Sequence, residues 1–104
     1  MKRYDQGMSD WTLLTNHAHV LICIAREPGY RLREIADCVG LTERATHRLV
    51  DDLVKADYLT RHRLGNRSFY EVHADRPLRH DLVEHAEVGD ILAPLLARSA
   101  SARS

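Results

Sequence analysis

Apolar positions fall into three stretches of helical spacing, one stretch of alternation and a final apolar run. The first stretch predicts a helix from a Thr15 or Asn16 N-cap to about Glu27. Ala18, Leu21, Ile22 and Ala25 make its core stripe. Cys23 and Ile24 widen that stripe, which predicts burial on more than one side. Pro28-Gly29 ends the helix in a turn. In the second stretch Leu32, Ile35, Ala36 and Val39 share one helix face, and Gly40 suits the left-handed position that follows. The third helix starts at a Thr42 N-cap and runs to about Ala56, with Ala45, Leu49, Val50 and Leu53 as core. Its other face carries Glu43, Arg44, His47, Arg48 and Asp51, long hydrogen-bonding side chains that suit a DNA groove. Asp57 follows where a left-handed residue is wanted, a conformation Asp tolerates better than most.

Residues 59–73 read as a β-hairpin, because β-formers flank the two-residue turn Gly65-Asn66 and Tyr70 and Val72 alternate to one face. From Asp75-Arg76-Pro77 onward a last helical region is expected, with Leu82, Val83, Val88, Ile91, Leu92, Leu95 and Leu96 as apolar positions. Gly89 and Pro94 predict a kink or a break within it. The expected organisation is one domain. It has a polar arm (1–10), a core (11–75), a C-terminal helical region (76–98) and a frayed tail (99–104). Trp11 reads as a packing anchor, within the chain or across a dimer interface.

A chain of 104 residues supports a single core. Its 44% hydrophobic and 29% charged residues are ordinary for a globular protein. The longest apolar run, Val20 to Ala25, falls far short of the roughly 20 residues of a membrane span. The first residues do not resemble a signal peptide, so cytoplasmic residence and two reduced cysteines, Cys23 and Cys38, are expected. Net charge is zero, but its distribution is uneven. Residues 60–70 hold Arg61, Arg63 and Arg67 and no acid, whereas residues 71–104 are mildly acidic.

The order helix, helix, tight turn, helix, hairpin, helix makes the second and third helices a helix-turn-helix and the hairpin a wing. The fold class expected is mainly α with a small β-hairpin (α+β), a winged helix-turn-helix with an added C-terminal dimerisation helix. Residues 32–72, LREIADCVGLTERATHRLVDDLVKADYLTRHRLGNRSFYEV, carry an EIA…VGLT helix-turn, an RATxRLVDDL helix and an RxxxGNR wing. In this order they resemble the winged helix-turn-helix transcriptional regulators of the MarR and ArsR type. The resemblance implies a recognition helix whose N-terminal half enters the major groove, presenting Thr42, Glu43, Arg44, His47 and Arg48. One of Arg44 and Arg48 would read guanine and the other would hold a phosphate. The wing would set Arg61, Arg63, Asn66 and Arg67 near the minor groove or its phosphates. Protonated His47 would gain a phosphate contact, so affinity is expected to rise as pH falls from about 8 to 6. Asp51 and Asp52 would limit insertion or point away.

One recognition helix spans few base pairs, so a homodimer on double-stranded DNA is expected. Its interface would be Trp11 together with Leu82, Val88, Ile91, Leu92, Leu95 and Leu96. A small-molecule effector between the dimer helices and the DNA-binding lobe would fit a MarR-like protein. Metal sensing, common among ArsR-like proteins, is not expected, because the Cys-x-Cys of thiol sensors is missing and His80 and His85 are spaced off one face. No cofactor is expected either. No phosphate loop, nucleophile elbow or HExxH motif is present, so an enzyme is not expected. The competing reading is a winged-helix protein-interaction module without DNA binding, favoured by zero net charge and by Glu43, Asp51 and Asp52.

Overall fold

The computed structural model describes residues 11–103, with side chains described through Arg98. In chain order the elements are α1 (Asn16–Arg26), α2 (Leu32–Val39), α3 (Glu43–Lys55), β1 (Leu59–Leu64), β2 (Arg67–Val72) and α4 (Val88–Arg103). This is the expected α+β winged helix-turn-helix. The polar arm assigned to residues 1–10 lies outside the described residues.

Local chemistry starts and stops these helices. The Thr15 and Thr42 hydroxyls accept the Ala18 and Ala45 N–H groups at 3.3 and 3.0 Å, each supplying an acceptor to an otherwise unbonded first turn. Glu34 reaches back to the Arg31 N–H at 2.8 Å and fixes the start of α2. Gly40 ends α2 at φ 78 and Asp57 follows α3 at φ 68, so both left-handed positions fall where the residue types suggest.

One core joins all the elements. Val20, Leu21, Cys23 and Ile24 of α1 pack with Ile35, Val50, Leu53, Leu59, Tyr70, Val88 and Leu92. The stripe assigned to α1 is therefore turned: Val20, Cys23 and Ile24 go inward, while Ala18, Ile22 and Ala25 are only half-buried. The helix touches α2, α3, α4 and β2 on different sides, and helical spacing alone does not say which side is deepest. Thr46 of α3 is fully buried, and its hydroxyl donates to the Thr42 carbonyl at 2.8 Å. Ala45 and Leu49, assigned to the core, are half-buried flanks of that position.

The strands pair antiparallel from Leu59↔Val72 to Leu64↔Arg67. Gly65 takes φ 65 while Asn66 stays at negative φ, the pattern of a type II′ hairpin turn. Arg61 pairs opposite Tyr70 and His62 opposite Phe69, so arginine and histidine take opposite faces.

The C-terminal region differs from expectation. Residues 77–87 are not helical but form a closed loop, with an isolated bridge between Pro77 and Glu87. Leu78 N–H bonds to the Ala86 carbonyl, Val88 N–H to the Arg76 carbonyl, and the Tyr58 hydroxyl donates to the Pro77 carbonyl at 2.8 Å. Asp90 then accepts the Glu87 N–H at 2.8 Å, which starts α4 at Val88. From there α4 runs through Pro94 without a break and on to Arg103, beyond the tail expected to fray from residue 99. Gly89 allows a close approach, since a Cβ there would stand 3.1 Å from the Ala74 carbonyl oxygen. Val88 and Leu92 are buried in the chain's own core and do not form the free face assigned to them. Trp11, 77% exposed, is not an anchor within this chain.

Candidate nucleic-acid interface

The face of α3 away from the core begins at its N-terminus. Thr42, Glu43, Arg44, His47 and Arg48 are all exposed there. Glu43 stands in the first turn, where it favours the helix dipole, and lies 3.8 Å from Arg33 of α2. No carboxylate pairs with Arg44, Arg48 or Arg63 among the described residues. Thr42 is engaged as a cap, which leaves its hydroxyl already bonded within the helix.

Between this helix and the wing lies a cleft of 400 Å³ lined by Arg31, Leu32, His47, Arg61, Arg63, Asn66, Arg67, Ser68 and Tyr70. It gathers His47 and the four wing residues singled out in the sequence. Arg31 joins them from the N-terminus of α2. Its only sequence signal is a basic residue just before that helix, which falls outside both the recognition-helix and wing motifs. Arg44 and Arg48 are not in the cleft lining and lie along the open face of α3.

The wing arginines are not equivalent. Arg67 donates to the Gly29 carbonyl at 2.7 Å, tying the wing tip to the turn between α1 and α2. Arg61 lies 3.3 Å from the Asp51 carboxylate and over the Tyr70 ring, 5.8 Å from its centroid. Asp51 also faces His47 of its own helix at 3.4 Å. Asp52 points away, to His17 of α1 at 2.9 Å. On the other face of the hairpin His62 stacks on Phe69 and pairs with Glu71.

A second cavity, of 280 Å³, is apolar. Leu21 and Ile22 of α1, Leu53 and Ala56 near the end of α3, and Ile91 and Leu92 of α4 line it, with His17, Asp52 and Arg79 as charged or polar members. Ala18 and Ile22, half-buried in the fold, face this space.

The family model of the MarR family matches residues 10–66, more than half of the chain. The chain belongs to the MarR family. The match takes in α1 to α3, β1 and the turn of the wing, whereas β2 with Arg67 and all of α4 lie beyond it. MarR proteins are winged-helix transcription regulators rather than enzymes. The ArsR half of the resemblance has no such match behind it. No curated protein and no solved structure matches this MarR chain. Among the described residues no helix is long and apolar enough to cross a membrane, and no group of three or more His, Cys, Asp or Glu could hold a metal ion.

Proposed function

We propose that this MarR-family chain is a cytoplasmic, sequence-specific regulator of transcription that binds double-stranded DNA as a homodimer. The N-terminal half of α3 enters the major groove, and residues 60–70 lie on the minor groove or its phosphates. The observation that carries this reading is the cleft where His47 of α3 meets Arg61, Arg63 and Arg67 of the wing. Arg31, Arg61, Arg63 and Arg67 bring four cations together at that cleft although the chain's net charge is zero. Arg44 and Arg48, which pair with no carboxylate among the described residues, lie on the adjoining open face and are available to bases or phosphates.

Selection of bound duplexes from random DNA, read for a palindrome, tests binding, symmetry and half-site spacing together. Replacing the base-reading arginine of Arg44 and Arg48 by Ala costs about 1–3 kcal/mol on the selected site and relaxes one position. Replacing the phosphate-holding one weakens all sequences and lowers the salt slope by about 0.9. No duplex binding at low salt, or no effect of the Arg44→Ala Arg48→Ala double variant, overturns the reading. The outcome favours a protein-interaction module if a protein partner is captured by the same face with little salt sensitivity; the acids Glu43, Asp51 and Asp52 on α3 are the feature that supports that alternative.

The exposed Trp11, Leu82 and Leu95 support a dimer surface, to which half-buried Ile91 and Leu96 add a margin. The apolar cavity of 280 Å³ supports a small-molecule effector. A thermal-shift screen with phenolic ligands tests it, and the absence of any shift removes that ligand class.

A further inference from the structure

We infer that Asp51 is a specificity-determining residue of the interface: it holds Arg61 ready for one register of DNA and keeps it from any other. The inference rests on the DNA-binding reading above. Among the described residues, Asp51 sets a carboxylate against a cleft whose charged lining, Arg31, Arg61, Arg63 and Arg67, is cationic. Its two oxygens face two different members of that cleft, Oδ1 the Arg61 guanidinium at 3.3 Å and Oδ2 the His47 ring at 3.4 Å. One carboxylate on α3 thus links the helix that would read bases to the strand that carries the wing.

Arg61 is held from two sides. The carboxylate takes one edge of the guanidinium, and the ring of buried Tyr70, its cross-strand partner, lies beneath it. Arg63, two residues on along the same face, has neither support. A free arginine swings to whichever phosphate is nearest, and that contact carries no sequence information. An arginine whose rotamer is already fixed loses less freedom on binding, but only where α3 is seated correctly. The carboxylate also repels phosphates along a face that would otherwise attract any duplex. Both effects lower affinity for wrong sequences more than for the right one.

Asp51→Asn keeps the shape and removes the charge. Binding is measured by fluorescence anisotropy across a salt series, on the selected duplex and on a scrambled one. The scrambled duplex binds tighter and with a steeper salt dependence, by about 0.9 for the one additional phosphate contact. The ratio between the two duplexes falls about fivefold, which corresponds to roughly 1 kcal/mol. Asp51→Glu, which keeps the charge, restores most of the ratio. Asp51→Asn combined with Arg61→Gln loses the gain on scrambled DNA, because the released arginine is what made it. Asp52→Asn removes an equal charge from the same helix, but from a carboxylate turned to His17, and leaves the ratio as it was. Equal tightening of both duplexes by Asp51→Asn assigns the residue to bulk charge alone and overturns the inference. So does a ratio that falls equally in Asp52→Asn. Failure of the wild-type chain to bind any duplex instead overturns the DNA reading, and is seen before any variant is made.

Discussion

His17 on α1 and Asp52 on α3 meet at 2.9 Å, Nε2 to Oδ2. The carboxylate can only accept, so the imidazole nitrogen donates. That hydrogen bond, first among the causes, holds the Asp52 carboxyl below the usual carboxylate range. The two residues are 35 apart in sequence, and both line the apolar cavity. The pair therefore braces α1 against α3 at the mouth of the space proposed for an effector.

A lowered carboxyl pKa gives a definite sign. The folded chain holds the proton less tightly than the unfolded one, so the contact contributes above the unfolded value of about 3.9 and is lost as pH falls through the folded value. Asp52→Asn should lower Tm near neutral pH. The difference from the wild-type chain should close as the pH drops well below the ordinary carboxylate range. Both side chains are well exposed, so the effect is small. Thermal melts over a pH series check it, and a gap that widened toward acid would refute it.

The loop of residues 77–87 depends on one hydroxyl from outside it. Tyr58 donates to the Pro77 carbonyl at 2.8 Å beside the Pro77–Glu87 bridge. Tyr58→Phe keeps the buried ring and removes only the bond. It should cost about 0.5–1.5 kcal/mol, read from the urea midpoint. Amide exchange should speed up at Leu78 and Val88, whose N–H groups close the loop, and stay unchanged in α2. A uniform change across the chain would mean that the hydroxyl does not act on the loop.

Where local chemistry decides the structure, the sequence was readable. Thr42, Gly40 and the Gly65-Asn66 turn each carry their own conformational reason within a few residues, and the helix-turn-helix and wing follow from them. The gathering of His47 with Arg61, Arg63 and Arg67 follows in turn, because the hairpin leaves α3 immediately. The misreadings have distant causes. Leu82 and Val83 keep helical company, yet the loop they sit in is closed by Pro77, Glu87 and Tyr58. Asp90, three residues after Glu87, was the local start signal that competed with Asp75-Arg76-Pro77. Thr46 reads as polar, but its own helix satisfies the hydroxyl and lets it be buried. Arg31 and Asp51 owe their place in the interface to neighbours that no spacing rule connects to them.

Cys23 and Cys38 should differ sharply in reactivity. Cys23 is buried in α1, and burial, followed by a hydrogen bond with Cys38, pushes its thiol up to about 12. Cys38 is exposed on α2. With iodoacetamide near pH 8, Cys38 should be modified while Cys23 is spared until the chain is unfolded. Stability should also fall as pH climbs from the ordinary thiol value of about 8.5 toward the folded one, because only the unfolded chain then releases that proton. Mass spectrometry of the labelled peptides checks the first statement, and equal labelling of both cysteines in the folded chain would refute it.

Trp11, the one tryptophan of the chain, reports directly on the proposed dimer. In the single chain it is 77% exposed, and Leu95 of α4 is 39% exposed. A side chain of that size left in water is costly, since a fully buried large apolar residue contributes about 1.5–3 kcal/mol. Burial against a second copy would recover part of it. Val88 and Leu92 cannot share in that interface, because they already serve the core, so the outer side of α4 has to supply it. Diluting the protein should therefore shift Trp11 emission to the red at the same concentration where sedimentation shows dimers separating. Leu95→Glu should move both transitions to higher concentration together and leave the fold of the monomer intact, since Leu95 lies outside the core cluster. Emission that stayed at the exposed wavelength in a proven dimer would take Trp11 out of the interface while leaving α4 in it. A chain still monomeric at the highest concentrations, with and without its duplex, would remove the homodimer altogether.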